Sequence, residues 1–390
     1  MDELPRVDGD KASRDMRSAG DARIVVIDCG GSLCRAGFAG DDAPSAAFLS
    51  VVGRPKKGRG CAAPVKLNAS IVGDEARAKR NELSLRKPVI SRGVAMDFDG
   101  LVKIWHHTYF NELRIKPDEH PVILTEAPLT PRSFRERMLE VFFETFEVPS
   151  VCVQIPAVLS LFASGRTTGI VIDCGESGAH VAPVYEGHSI PHAIMRLDIA
   201  GRDLTENMAS LLNRERGGSS ALSLDVANDI KETLCYVAAD YDAELRNASD
   251  DTSIDRTYTL EDGGVVTLGN ERFRCPEILF RPSFIGKEEG RGIQDMTFQS
   301  IESCPMDVRA SLFSNVVLSG GTMAISGMEE RMKLELAAMA LTKVKVTLVS
   351  KPQHSAWIGA SMFAKISRAW ISAEEYSEQG CSVAHKASIL

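Results

Sequence analysis

Short apolar runs alternate with polar turns and amphipathic segments along this chain, the pattern of an α/β protein. The first run, Arg23-Ile24-Val25-Val26-Ile27, is β-branched and stops at Asp28-Cys29-Gly30-Gly31-Ser32. It predicts a buried strand followed by a tight turn. The pattern recurs 145 residues later, where Gly169-Ile170-Val171-Ile172 leads into Asp173-Cys174-Gly175-Glu176-Ser177. Leu33 to Phe38 and Ala179 to Tyr185 follow as second strand-like stretches. Each copy therefore reads as a β-hairpin with an Asp-x-Gly turn. A single repeat at this spacing implies two similar α/β halves facing each other, not a solenoid.

Helical patterns fill the spaces between. Arg132 to Thr145 is amphipathic after Pro131, and Pro156 to Gly165 has Pro at its start and Gly at its end. Leu224 to Tyr241 reads as one helix, Glu261-Asp262-Gly263-Gly264 as the turn of a polar hairpin, and Met328 to Met339 as a helix. Before that last helix, Val316-Val317-Leu318 runs into a third glycine turn, Ser319-Gly320-Gly321-Thr322.

These turns suggest a chemistry. Backbone N–H groups in glycine-rich turns can converge on an anion, and Ser32 or Ser177 can add a hydroxyl. Two such turns from facing halves would clamp one polyphosphate. Asp28 and Asp173 at the strand ends would then face one metal, which as Mg²⁺ keeps several waters. The third turn, Ser319 to Thr322, is read as opening a helix and could hold another part of a nucleotide. One Asp-x-Gly turn alone is most often a plain hairpin turn; the duplication and the third turn favour the phosphate reading. Arg35 is either a phosphate neutraliser or a surface arginine. His180, seven residues after Asp173, either orients a water or is a satisfied core histidine. Trp105-His106-His107-Thr108 has no metal-ligand spacing.

Composition narrows the classes. The 390 residues are 44% apolar and 25% charged, near the globular average, and favour two to four compact units over disorder. A net charge of −8 predicts no electrostatic attraction to nucleic acid. No apolar run nears the ~18 residues of a membrane span, so no membrane insertion is expected. The nine cysteines form no CxxC pair; Cys29 and Cys174 end apolar runs and are expected to be buried, as free thiols in a reducing compartment. Met1 to Asp21, with six acids and four bases, has no signal-peptide core and reads as a flexible arm.

The residues also resemble the actin family, in order, from about residue 24 to His385. The resemblance is carried by Ala36 to Pro44, Val72-Gly73-Asp74-Glu75-Ala76, Lys103 to Thr108, Leu124 to Leu129, Ala163 to Gly169, Ala200 to Thr205, Ile230-Lys231-Glu232, Gly269 to Glu277 and Leu318 to Thr322. It implies an actin-like, ribonuclease H-like duplicated fold of two lobes and four subdomains around a nucleotide cleft. The first lobe would take 21–163 plus 358–390, with a small subdomain at about 50–88. The second would take 164–357, with a subdomain at about 200–288, and 1–20 would be the arm.

The resemblance implies ATP or ADP with Mg²⁺, or Ca²⁺ in its place. Asp28 and Asp173 match the aspartates that face the metal through water. Gly30, Gly31, Ser32, Leu33 and Arg35 match the first phosphate loop, and Gly175, Glu176, Ser177 and Gly178 the second. Lys231 and Glu232 match residues near the ribose and base, Gly320, Gly321 and Thr322 the adenosine loop, and Gly201 is a further cofactor-binding position. His180 and Asp173 would position the hydrolytic water. The implied partners are copies of itself, other actin-family subunits and actin-binding proteins, in the cytoplasm and cytoskeleton; the sequence does not separate nuclear roles.

Departures from the family pattern carry further expectations. Pro156 stands where actins carry the glutamine that positions the water, and proline offers no side-chain donor or acceptor. Gln154, two positions back on the preceding strand, is expected to point elsewhere. The expected result is ATP binding with slow hydrolysis. Gly31 replaces a serine, Arg35 a lysine and Asn228 an arginine, and Ser350 to Trp357 runs two residues short. Lys56 to Pro64, Lys287 to Arg291, His188, a short stretch from Ser367 to Trp370, and Ala387 to Leu390 alter polymer and partner surfaces. These changes fit a non-polymerising subunit of a larger complex (dynactin-like, branching or chromatin-remodelling), or ordinary divergence that keeps filaments. No acidic signature of a sugar or acetate kinase is present.

Overall fold

The β-branched run at the start of the chain becomes the strand Val25–Cys29, buried along most of its length. The computed structural model describes residues 23–56, 71–91, 94–95, 97–215, 222–250, 252–288 and 290–385. The expected arm at 1–20, the loop at 57–64 and the last residues lie outside these.

Two sheets repeat one topology. In the first, Val25–Cys29 pairs antiparallel with Leu33–Phe38 and parallel with Val122–Thr125, which pairs parallel with Ser150–Gln154. In the second, Gly169–Cys174 pairs antiparallel with Ala179–Tyr185 and parallel with Val316–Ser319, which pairs parallel with Val346–Leu348. A third antiparallel strand sits beyond each hairpin: Ala46–Leu49 in the first sheet and Met195–Leu197 in the second. The parallel strands are apolar on both faces because helices cover both.

Two of these helices cross between the sheets. Pro156–Ala163, which follows the last parallel strand of the first sheet, packs through Ala157, Val158 and Leu161 on the second sheet. Ser355–Phe363, which follows the second sheet, packs through Trp357 and Ala360 on the first. Where the helices touch, a Cβ on Gly359 would lie 1.8 Å from the Leu159 carbonyl oxygen, so only glycine fits this crossing. Trp357 Nε1 donates to the Val26 carbonyl at 3.2 Å and ties the exchanged helix to the central strand.

Smaller units flank the sheets. Val52–Pro55, Ile71–Val72 and Leu83–Arg86 form a three-stranded sheet beside the helix Gly73–Ala78. Arg256–Thr259 and Val265–Leu268 form the polar hairpin, with Gly263 at φ +82° in its turn.

Three expectations need correction. Leu224 to Tyr241 is not one helix: Leu224–Leu234 ends, residues 235–240 run extended or bend, and Tyr241–Asp250 starts a second helix. The bridge between Tyr236 and Ser326 and the Val237 N–H to Ser326 bond claim the backbone there. Second, the third glycine turn opens a single 3₁₀ turn, Gly321–Ala324, and the helix Met328–Met339 starts only after Gly327 at φ +84°. Third, Cys29 is half-buried, while Cys174 is fully buried as expected. No helix among the described residues is long and apolar enough to cross a membrane.

Candidate functional site

The two turns are built alike. Cys29 stands opposite Cys34 and Asp28 opposite Arg35 in the first hairpin; Cys174 stands opposite Ala179 and Asp173 opposite His180 in the second. Each four-residue loop is closed by the same bond, Gly30 N–H to the Leu33 carbonyl and Gly175 N–H to the Gly178 carbonyl, both at 3.0 Å. Arg35 and His180 therefore occupy one equivalent position, each directly across from its turn aspartate.

Both turns border one cavity of about 710 Å³. Asp28, Gly30, Gly31, Ser32, Leu33, Arg35 and Pro156 line it from the first sheet's side. Asp173, the run Gly175 to Gly178, and His180 line it from the second. Lys231, Glu232, Gly320, Gly321 and Thr322 complete the wall. Gly201 is not part of that lining. It braces the second turn from behind, with its N–H 2.9 Å from the Gly175 carbonyl, and a Cβ there would lie 2.7 Å from Thr322 Oγ1. Gly320, at φ +88°, passes so close to Cys174 that a Cβ would lie 2.3 Å from its carbonyl oxygen. A second cavity of about 720 Å³ among Asn207, Tyr241, Arg274 and Phe284 shares none of the turn residues.

The two aspartates are held differently. Asp28 Oδ1 accepts from Thr125 Oγ1 at 2.7 Å, and Oδ2 faces Arg35 Nη1 at 3.4 Å. Arg35 Nε in turn donates to His354 Nδ1 at 3.1 Å, so the arginine is neither a free surface cation nor a loose one. Burial, and then the Arg35 charge, lower the His354 pKa and leave that ring nitrogen able to accept. Asp173 Oδ1 accepts from Ser319 Oγ at 2.8 Å. Ser319 belongs to a buried hydroxyl cluster with Ser160 at 2.9 Å and Ser355 at 3.0 Å, on the two exchanged helices. Burial pushes the Asp173 carboxyl up to about 6, and the negative charge of Asp28 pushes the same way. Two carboxylates that feel each other across a cavity favour a cation between them. Among the described residues no three ligating side chains cluster. A cation held by this pair would therefore complete its shell with water and ligand oxygens, as Mg²⁺ does.

His180 is 5% exposed, and its Nε2 has no hydrogen-bond partner. Burial first, and then the Arg196 charge, lower its pKa to about 4, so the ring is neutral at pH 7. It is not a satisfied core histidine: a buried nitrogen without a partner at a cavity wall calls for a water or ligand atom.

Pro156 takes the first position of its helix and lines the cavity without a polar group. Gln154 does not substitute for one, because its Oε1 accepts from the Ile155 N–H at 3.1 Å. Lys231 is buried, with Nζ donating to the Gly201 carbonyl at 3.2 Å, Thr205 Oγ1 at 3.0 Å and Asn228 Oδ1 at 2.9 Å.

Sequence reading placed Ser319 in the third turn but missed its bond to Asp173, and it missed Thr125, Glu126 and several long-range ion pairs near the turns. Thr125 and Ser319 end equivalent parallel strands and hold Asp28 and Asp173; the carboxyl ends of parallel strands are where α/β sheets bind ligands. Glu126 follows Thr125, is ion-paired to Arg135, and keeps Oε1 buried without a partner. Lys87 reaches Glu176 in the second turn at 3.0 Å. Asp225 meets Arg80 at 3.0 Å and Arg77 at 3.7 Å. The last three pairs join segments far apart in the chain, and no local pattern announces them.

The actin family model matches residues 19–222 and 219–388, nearly the whole chain. The chain belongs to the actin family, and that membership supports a nucleotide-binding, actin-like protein.

Proposed function

We propose that this chain is an actin-like cytoskeletal protein of the cytoplasm that holds ATP or ADP with a divalent cation between its two lobes. Nucleotide state then controls assembly or partner binding. The observation that carries the reading is the pair of matched turns facing one cavity, with Asp28 and Asp173 at equivalent positions. The N–H groups of Gly31 to Leu33 and of Glu176 to Gly178 cradle the phosphates. Asp28 and Asp173 hold the cation through water, and when bound it neutralises phosphate charge. Lys231, Glu232 and the turn Gly320–Thr322 border the nucleoside end.

Hydrolysis is slow in this reading. Neutral His180 and Asp173 border the place of the attacking water, but Pro156 contributes no group to orient it. Arg35 and the turn N–H groups spread the charge that develops on the phosphate oxygens.

A second reading, a non-polymerising subunit of a larger actin-containing complex, is favoured by the basic and charged segments at Lys56 to Pro64 and Lys287 to Arg291. Hydrophobic anchors supply much interface energy, and charged segments do not replace them. High-speed sedimentation over a concentration series in Mg-ATP separates the two. A pellet above a threshold concentration supports self-assembly. Folded protein that keeps its nucleotide and stays in the supernatant at every concentration supports the subunit reading.

A further inference from the structure

The neck of the first turn carries a thiol on each strand. Cys29 and Cys34 are directly paired across the antiparallel hairpin. The Gly30 N–H to Leu33 bond on one side and the Ala39 N–H to Ile24 bond on the other fix the ladder's alternation. That alternation makes Cys29–Cys34 a non-hydrogen-bonded pair, the type with the closest side chains. Both thiols face the same side of the sheet and pack against one core. In the reduced chain each sulfur lies beside a hydroxyl instead, Cys29 Sγ 3.9 Å from Ser50 Oγ and Cys34 Sγ 3.7 Å from Thr108 Oγ1. Both are free; Cys34 is buried and Cys29 half-buried on the cavity wall. The second hairpin has alanine at the matching place, Ala179 opposite Cys174. It lacks the second thiol and serves as an internal control.

We propose that Cys29 and Cys34 form a reversible dithiol–disulfide switch that sets the shape of the first turn. The oxidant class is a low-molecular-weight disulfide such as glutathione disulfide. The Cys29 thiolate attacks one of its sulfurs, and one glutathione leaves as thiolate and takes up a proton. Cys34, held as the thiol chiefly by Cys29 and then by burial, gives up its proton as its sulfur attacks the Cys29 sulfur of the mixed disulfide; the second glutathione leaves and takes up a proton. Two protein thiols are oxidised by two electrons, and one disulfide is reduced to two thiols. Closing the bond draws paired Cβ atoms from about 4.5–5.5 Å to about 3.8 Å. That twists the neck and re-aims the N–H groups of Gly31 to Leu33. Strained bonds of this kind are the readily reduced ones.

The link to ligand rests on the nucleotide reading above; the disulfide itself does not. The test takes the full-length reduced chain through a glutathione/glutathione disulfide series, alkylates it, and digests it with trypsin. One peptide, Ile24 to Arg35, contains both cysteines. It is expected to lose two hydrogens, to regain them with dithiothreitol, and to stay unchanged in Cys29→Ser. ATP–Mg²⁺ affinity is expected to fall by about fivefold or more on oxidation, the lower edge of typical coupling between sites. By reciprocity, bound ATP–Mg²⁺ disfavours the disulfide at equilibrium by the same factor, read as a higher glutathione disulfide fraction needed for half-oxidation. The switch is overturned if Ile24 to Arg35 stays reduced, or carries only glutathione on Cys29, while half-exposed Cys381 is modified. It is equally overturned if the bond forms and affinity is unchanged. If the reduced chain binds no ATP, the nucleotide reading fails, and the peptide mass still decides whether the disulfide forms. The thiols of Cys235 and Cys275 also approach each other, but they fall in other peptides.

Discussion

Asp28 and Asp173 stand at the same point of two matched hairpins, yet their surroundings are opposite in charge. Across the strand from Asp28 is a guanidinium, Arg35. Across from Asp173 is a buried neutral imidazole, His180, and the aspartate leans on a serine hydroxyl instead. The backbone is duplicated, and the electrostatics are not. One side of the cavity comes with its countercharge built in; the other keeps a carboxylate and an imidazole that both resist being charged. The second hairpin is thus the half whose charge state is left for a ligand to settle.

The frame common to both halves is the most sensitive part. Gly359→Ala forces a Cβ into the Leu159 carbonyl where the exchanged helices cross. It should cost about 3 kcal/mol or more, read as a lower denaturant midpoint with loss of both hairpins together.

The charge difference itself is exposed by pH. Native Asp173 titrates near 6 against an ordinary 3.8, so the folded chain binds that proton more readily and stability falls as pH rises through this window. Native His180 titrates near 4 against an ordinary 6.5, so its contribution is lost as pH falls through that window. The two slopes oppose each other over most of the range. In nucleotide-free protein, Asp173→Asn should raise the melting temperature at pH 7 and make it drop on acidification. His180→Gln should do the reverse on acidification and melt higher toward pH 5 than the unaltered chain. Parallel profiles for the two variants would break the comparison.

Pro156→Gln adds a polar group to the cavity wall on the first half's side, where the proposed function puts the attacking water. Single-turnover phosphate release should rise by about tenfold or more, with ATP affinity nearly unchanged. Fast release by the unaltered protein would sink the idea that Pro156 limits the step.

The smallest effect is expected at the ion pair that spans the halves. Lys87→Ala removes an exposed partner of Glu176 and should change stability by no more than about 1 kcal/mol. Nucleotide release should quicken a few-fold at low salt, and the difference should shrink as salt screens the pair.

Much of the frame was legible because it rests on local signals. Repeated β-branched runs ending in Asp-x-Gly name both hairpins, and equal loop lengths put Arg35 and His180 in register. Pro156 and Gly165 bound their helix, and Gln154 turns back on its own strand end as expected. What escaped depends on long-range pairing. The break after Leu234 is set by Ser326, nearly a hundred positions away, and no helical period reveals it. The Ser160–Ser319–Ser355 cluster forms only because two helices exchange sheets. Thr125 and Glu126 show their place only once the parallel strand order is known.

The most direct test of the account is calorimetric titration of ATP into the reduced full-length chain, with and without Mg²⁺, for the unaltered protein, Asp28→Asn, Asp173→Asn and the double variant. The account predicts one site per chain, tighter with Mg²⁺, with the Mg²⁺ dependence weakened in each single variant and lost in the double. No binding by the folded protein, or a Mg²⁺ dependence untouched in the double variant, would contradict it.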